Sequence, residues 1–142
     1  MKTAIVDIDG TISDARHRLH FVLQRPKDYE AFHSRCGEDP VIPSVRRVVS
    51  ALSELFKVVL VTGRPDTYRD ITMDWLDSNA VIYDELHMRP AGDTSPAAQF
   101  KSRVLFELVS KGHEIFLAIE DQQSVVDMWR ANGVHCLQTA VI

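Results

Sequence analysis

Two rhythms of apolar and polar positions alternate along the chain. Short apolar runs at Thr3–Val6, Lys57–Val61, Val81–Leu86, Ile115–Ile119 and Val134–Leu137 have the length and composition of strands. Between most of them, apolar residues recur at helical spacing. Val45, Val48, Val49, Leu52, Leu55 and Phe56 form one stripe behind a Pro40–Pro43 entry, and Tyr68, Ile71, Trp75 and Leu76 form another, started by Pro65. Ser95 and Pro96 read as an N-cap and first turn leading into Ala97, Val104, Leu105 and Leu108. Val125, Val126 and Trp129 make the last stripe, stopped by Asn132-Gly133. Trp75 and Trp129 fall on these stripes, so both are expected in the core.

Strands alternating with helices predict βαβ units. The expected fold class is therefore α/β: a three-layer sandwich around a central five-stranded, mostly parallel sheet. One stretch breaks the rhythm. Residues 14 to about 43 hold two short helical patterns (Ala15–Gln24 and Lys27–Arg35) and a loop through Gly37-Glu38-Asp39-Pro40. It is expected as a small helical insertion over the mouth of the sheet, within one domain spanning residues 1–142.

Composition narrows the class. A chain that is 45% hydrophobic and 25% charged has the balance of a soluble globular protein. No apolar run approaches the about 18–20 residues of a membrane span. Met1–Val6 goes straight into a strand pattern with no leader signature, and Cys36 and Cys136 stand apart from any Cys-x-x-Cys pair. These features lead us to expect reduced thiols, no membrane partner and a cytoplasmic location (that of the host cell if phage-encoded). A net charge of −4 argues against non-specific coating of nucleic acid. It leaves room for a site that grips one strand end.

The candidate chemistry lies after the strands, where open α/β sheets bind ligands. Asp7-Ile8-Asp9-Gly10-Thr11 follows the first run, Thr62-Gly63-Arg64-Pro65 the second and Glu120-Asp121 the fourth; Lys101 lies early in the helix before that fourth strand. Asp7 and Asp9 are two apart, so near a strand end they can point the same way. Asp121 adds a third carboxylate. Such a cluster calls for a cation or a shifted pKa, and an all-oxygen donor set without His or Cys favours Mg²⁺ over zinc. A calcium loop does not fit, because Gly10 is at the wrong offset and the twelfth position is Arg18 instead of Glu. Phosphoryl transfer suits the set. Asp7 can attack phosphorus, Asp9 can move protons, and Thr62, the Gly63 backbone and Lys101 can hold the transferring oxygens. Gly10 allows the tight turn after the strand.

Asp-x-Asp-Gly-Thr, then Thr-Gly-Arg, then Lys, then an acidic pair resembles the haloacid dehalogenase superfamily of phosphatases, in order and over the whole chain. The resemblance implies a nucleophile at Asp7, a general acid/base at Asp9, phosphate binding by Thr62 and Lys101, and a magnesium site formed by Asp7, the Asp9 carbonyl and Asp121. It also implies the strand order 5-4-1-2-3 with a minimal cap. Val61-Thr62-Gly63-Arg64, Met88-Arg89 with Gly92-Asp93, Lys101, and Ala118–Asp121 with Val125–Arg130 look like the 3′-phosphatase domains of bacteriophage polynucleotide kinase/phosphatases. That closer resemblance implies a 3′-phosphorylated nucleic-acid end as substrate. Glu120 stands where that family has Asp, as a further candidate metal ligand, and Gln122 where it has Arg. Arg64, Arg89, Arg16 and Arg18 are candidate substrate contacts, with Arg16-His17-Arg18 as a basic lip. Asp127 either orients Lys101 or lies on an exposed helix face. His17 and His20 are three apart and can share a metal on a helix, although a solvated face is the plainer reading. None of the six glycines begins a Gly-x-x-x-x-Gly-Lys-[Ser/Thr] loop, which leaves a separate kinase chain as a candidate partner. Two other functions compete: a phosphatase of free nucleotides or other small phosphate esters, and a non-catalytic binding module on the same fold.

Overall fold

The computed structural model describes residues 1–140. Five strands, β1 (Lys2–Val6), β2 (Lys57–Pro65), β3 (Glu85–Arg89), β4 (Glu114–Glu120) and β5 (Cys136–Gln138), form one sheet. Its order is β3-β2-β1-β4-β5 and every neighbouring pair is parallel, as the resemblance implied. Six helices accompany it: α1 (His20–Leu23), α2 (Tyr29–Ser34), α3 (Pro43–Ser53), α4 (Arg69–Ser78), α5 (Ala97–Ser110) and α6 (Gln123–Ala131).

Parallel strands buried on both faces read as continuous apolar runs, and Ala4-Ile5-Val6 and Val58-Val59-Leu60-Val61 are fully buried for that reason. Alternation sends neighbours into two cores. Ile5, Val59, Val61 and Ala118 pack with Val104, Leu105 and Leu108 of α5 and Trp129 of α6. Val6, Val58, Leu60 and Ile119 pack with Val49 of α3 and Trp75 and Leu76 of α4. Both tryptophans are core residues, as expected.

Two local expectations are corrected. The third strand begins at Glu85, not at Val81. The Val81 amide closes the end of α4 on the Leu76 carbonyl (3.0 Å), and Asp84 joins the Val58 amide through its side chain (2.8 Å). Residues 81–84 are thereby held as a connector. Ser95 does not cap α5: its amide and hydroxyl both turn back to Asp93 Oδ1 (2.9 and 2.6 Å), and Pro96 occupies the cap position.

The segment between β1 and α3 is helical in shorter pieces than its pattern predicted. A 3₁₀ turn at Arg16–Arg18 precedes α1, and a second at Cys36–Glu38 follows α2. Its two ends are zipped together where Asp14 N donates to Pro40 O (2.8 Å) and Ile42 N to Ile12 O (2.7 Å). The Trp75 indole donates to the Asp39 carbonyl (2.7 Å), so α4 anchors the returning segment. With all strands parallel, the segments after β1, β2 and β4 emerge on one edge, under this insertion.

Candidate active site

Asp7 follows β1 directly, and its amide extends the ladder to Ile119 O (3.0 Å). Its carboxylate is nearly buried and held from both sides. Lys101 Nζ donates to Oδ1 (2.8 Å) and Thr11 Oγ1 to Oδ2 (2.9 Å). The same ammonium donates to Glu120 Oε1 (2.7 Å), while Glu120 Oε2 accepts from the amides of Asp121 (3.2 Å) and Gln122 (3.3 Å). Burial alone would lower the Lys101 pKa, but Asp7 and then Glu120 outweigh it and raise it, so the lysine stays charged.

Asp121 completes the cluster. One carboxylate oxygen each from Asp7, Glu120 and Asp121 lies within 4.8 Å of the others. Burial, and after it the charge of Asp7, pushes both Glu120 and Asp121 well above the usual carboxylate range. A single ammonium thus faces three carboxylates, and the excess negative charge fits a divalent cation. Gly10 makes the arrangement sterically possible. Its φ is +79°, and a Cβ there would overlap the Asp121 carboxylate.

Asp9 occupies a different setting. Its carboxylate lies against a pair of arginines. Arg64 donates through Nη2 to Oδ1 (2.7 Å) and through Nε (3.1 Å), and Arg18 donates through Nη2 to Oδ1 (2.5 Å). Arg18 is tied in turn to Asp39, through Nε (2.8 Å) and Nη2 (2.6 Å), and Asp39 also meets His17 Nε2 (2.7 Å). Burial would raise the Asp9 pKa, but Arg64 and then Arg18 hold it well below the usual carboxylate range. The side chains of both arginines are fully buried. This corrects the expectation of a basic lip for Arg18 and of a free substrate contact for Arg64: their guanidinium groups serve carboxylates.

Other expected residues are dispersed. Thr62 is fully buried at the end of β2, and its hydroxyl accepts from the Arg64 amide (3.2 Å). Gly63 lies beside the Arg89 guanidinium, whose Nη1 donates to Ser95 O (2.9 Å). Arg16 is exposed and paired with Asp14 (2.7 Å). Asp127 bonds Gln123 (2.8 Å) on an exposed helix face and takes no part in orienting Lys101. His17 serves Asp39, and His20 packs on Phe21 with ring centres 4.0 Å apart, so the two do not share a metal. Sequence reading missed Asp39 and Thr11 as members of the network. Thr11 was visible inside the first motif; for Asp39, a buried acid in a Gly-Glu-Asp-Pro turn, local sequence gives only the turn.

A central parallel sheet with an acidic, lysine-bridged centre at its carboxyl edge defines a phosphatase of the haloacid dehalogenase type. Residues 1–141 match the family model for the polynucleotide kinase PNKP phosphatase domain, and the chain belongs to that family. A solved chain in the Pnkp1/Rnl/Hen1 RNA repair complex is 27% identical with a TM-score of 0.83, covering 98% of this chain and 42% of that one. A second structure of the Pnkp1/Rnl/Hen1 complex gives 28% identity, a TM-score of 0.83, and coverage of 98% and 46%. The chain therefore spans less than half the length of these two matches. A haloacid dehalogenase-like hydrolase from Streptococcus pneumoniae shares the fold at 16% identity, with a TM-score of 0.70 over 96% of this chain and 83% of that one.

Proposed function

We propose that this domain removes 3′-phosphates from nucleic-acid ends through an aspartyl-phosphate on Asp7. The observation that carries the reading is the double hold on Asp7 by Lys101 and Thr11, beside Asp121 and at the mouth of the sheet. Membership of the polynucleotide kinase phosphatase family supports the nucleic-acid end as substrate.

Magnesium fits the donor set of Asp7, Asp121 and the Asp9 carbonyl, and when bound it would neutralise phosphate charge beside the nucleophile. Glu120 is already engaged by Lys101 and the turn amides, so we assign it to fixing the lysine. Asp7 attacks phosphorus as the bond to the 3′-oxygen breaks, and Lys101, Thr62 and the Gly63 backbone balance charge on the equatorial oxygens. Water then attacks the aspartyl-phosphate, inorganic phosphate leaves, and Asp7 returns to its free form. Asp9 handles the protons, giving one to the 3′-oxygen and taking one from the water. The arginine clamp favours the second of these roles, because protonating Asp9 works against two guanidinium groups.

We further propose that residues 1–142 act as one phosphatase domain in the cytoplasm, alongside a kinase activity. Among the described residues, no helix is long and apolar enough to cross a membrane. The test is phosphate release from a 3′-phosphorylated oligonucleotide, its 5′-phosphorylated counterpart, and 3′- and 5′-mononucleotides, each with magnesium and with chelator. The reading expects magnesium-dependent turnover that favours the 3′-phosphorylated strand. Equal or faster release from 5′-mononucleotides would move the function to small phosphate esters. Asp7→Asn should lower turnover by at least about a thousandfold, or roughly 4 kcal/mol of barrier, with an unchanged circular dichroism spectrum.

A further inference from the structure

Among the described residues, three buried side-chain polar atoms lack a hydrogen-bond partner: His33 Nδ1, Arg89 Nε and Thr139 Oγ1. Such atoms are uncommon in folded proteins, and each calls for a reason. Two of the three adjoin residues of the candidate site: His33 follows Phe32, whose carbonyl accepts from Arg18, and Arg89 lies beside Gly63.

His33 sits on α2 with its ring 5.6 Å from that of Tyr68 and 5.1 Å from that of Phe32. Phe32 lies under the Arg18 guanidinium, 4.4 Å from ring centre to carbon, and its carbonyl accepts from Arg18 Nη1 (3.2 Å). The His33–Tyr68 pair is therefore one residue away from the group that clamps Asp9. Arg89 ends β3, where it pairs with Pro65 at the end of β2. Its Nη2 would lie 3.0 Å from a Cβ on Gly63, so the guanidinium rests where a side chain is missing. Arg16, Arg18, Arg64 and Arg103 each pair with a carboxylate, whereas Arg89 pairs with none among the described residues. Only its Nη1 is engaged, on Ser95 O, which leaves the Nε–Nη2 edge without an acceptor.

We propose that His33 and Tyr68 on one side and Arg89 on the other form a subsite for the strand that carries the scissile phosphate. The terminal base stacks on the His33–Tyr68 rings, and the internucleotide phosphate that precedes it takes the Nε–Nη2 edge of Arg89. Flat aromatic rings, histidine included, hold unstacked bases without regard to sequence. The fork of an arginine edge matches two phosphate oxygens, and a phosphodiester would satisfy the donor that the protein leaves open. A free 3′-mononucleotide lacks that second phosphate, so Arg89 is the residue that tells a strand from a nucleotide. The subsite rests on the 3′-phosphatase reading and deepens it.

The test uses two substrates that differ by one internucleotide phosphate: a 3′-phosphorylated dinucleotide and the corresponding 3′-mononucleotide. A small aryl phosphate serves as reference. In the unaltered protein we expect kcat/KM at least tenfold higher for the dinucleotide than for the mononucleotide. Arg89→Gln should bring that ratio close to one, and Arg89→Lys should keep part of it. His33→Ala should weaken both nucleotides relative to the aryl phosphate. Binding provides a second readout. With Asp7→Asn and chelator present, a 3′-phosphorylated single strand followed by fluorescence anisotropy should lose about 0.7 from its log–log salt slope when Arg89→Gln is added. A ratio near one in the unaltered protein, or an unchanged ratio and slope in Arg89→Gln, overturns the subsite while leaving the 3′-phosphatase reading in place. Hydrolysis of the aryl phosphate without turnover of either nucleotide overturns both.

Discussion

Arg64 and Asp9, 55 positions apart in the sequence, meet through two guanidinium nitrogens, with Nη2 2.7 Å and Nε 3.1 Å from Oδ1. A third nitrogen of Arg64 reaches Thr72 Oγ1 (3.1 Å). The arginine is thus fixed at both ends, and the Asp9 carboxylate is fixed with it. Arg18 takes up the same Asp9 oxygen from the insertion side.

Breaking the insertion side should cost both stability and rate. Arg18→Gln leaves Asp39 buried with its main partner gone, and Asp39→Asn leaves Arg18 with one carboxylate in place of two. In urea unfolding, a double-mutant cycle on these residues should give a coupling energy of about 0.5–3 kcal/mol, the range expected for groups in one network. Additive effects would show that the two do not act together.

Lys101 bears on folding through its two buried carboxylate partners. Lys101→Met strands two buried carboxylates, and removing one partner of a buried pair costs about 3–5 kcal/mol. Adding Glu120→Gln to Lys101→Met should recover part of that loss, because one of the stranded charges disappears. Urea denaturation midpoints of the single and double variants check this directly.

Metal should be visible without catalysis. Magnesium at about 100 times its dissociation constant should stabilise the folded chain by about 2.7 kcal/mol, seen as a raised Tm that chelator reverses. Asp121→Asn should reduce the rise strongly. An equal rise in both proteins would place the ion elsewhere.

His33 gives a pH signature. Burial lowers its pKa to about 4; the field of Asp9 opposes this, while those of Arg18, Arg64 and Arg89 add to it. The unfolded chain therefore binds this proton from about pH 6.5 downward, the ordinary histidine value, before the folded chain does. The stability associated with a neutral His33 is complete above that pH and is lost as pH falls toward 4. In urea unfolding at pH 7 and pH 4.5, His33→Gln should lose less stability over this interval than the unaltered protein.

Much of the architecture was legible because parallel strands leave continuous apolar runs and amphipathic helices leave stripes. Helix α3 and helix α6 carry their faces openly in Val45–Leu52 and Val125–Trp129. The third strand was misplaced because Val81-Ile82-Tyr83 is apolar, yet its backbone bonds go to α4 and β2 as a connector. In the site, the Asp7-x-Asp9 spacing and the placing of Lys101 were readable. The partnership of Asp9 with Arg18 and Arg64 was not, because burial of an arginine follows from tertiary contacts and leaves no local pattern. Asp39 escaped for the same reason.

The zipped neck between Ile12–Asp14 and Pro40–Ile42 divides the candidate site into two parts. Asp7, Lys101, Glu120 and Asp121 stand on the sheet and α5, which belong to the deepest cores. Arg18 and Asp39 stand on the far side of the neck, near two short helices with no fully buried residue of their own. Segments with so little buried surface open at low free energy, ahead of the global transition. Brief fraying of that flap would slacken Asp9 while Asp7 stayed in place. On the proposed aspartyl-phosphate route, a molecule caught in that state takes up phosphate on Asp7 but is slow to hydrolyse it, so the rate of the second half-reaction should follow the hydrogen-exchange protection of residues 14–40.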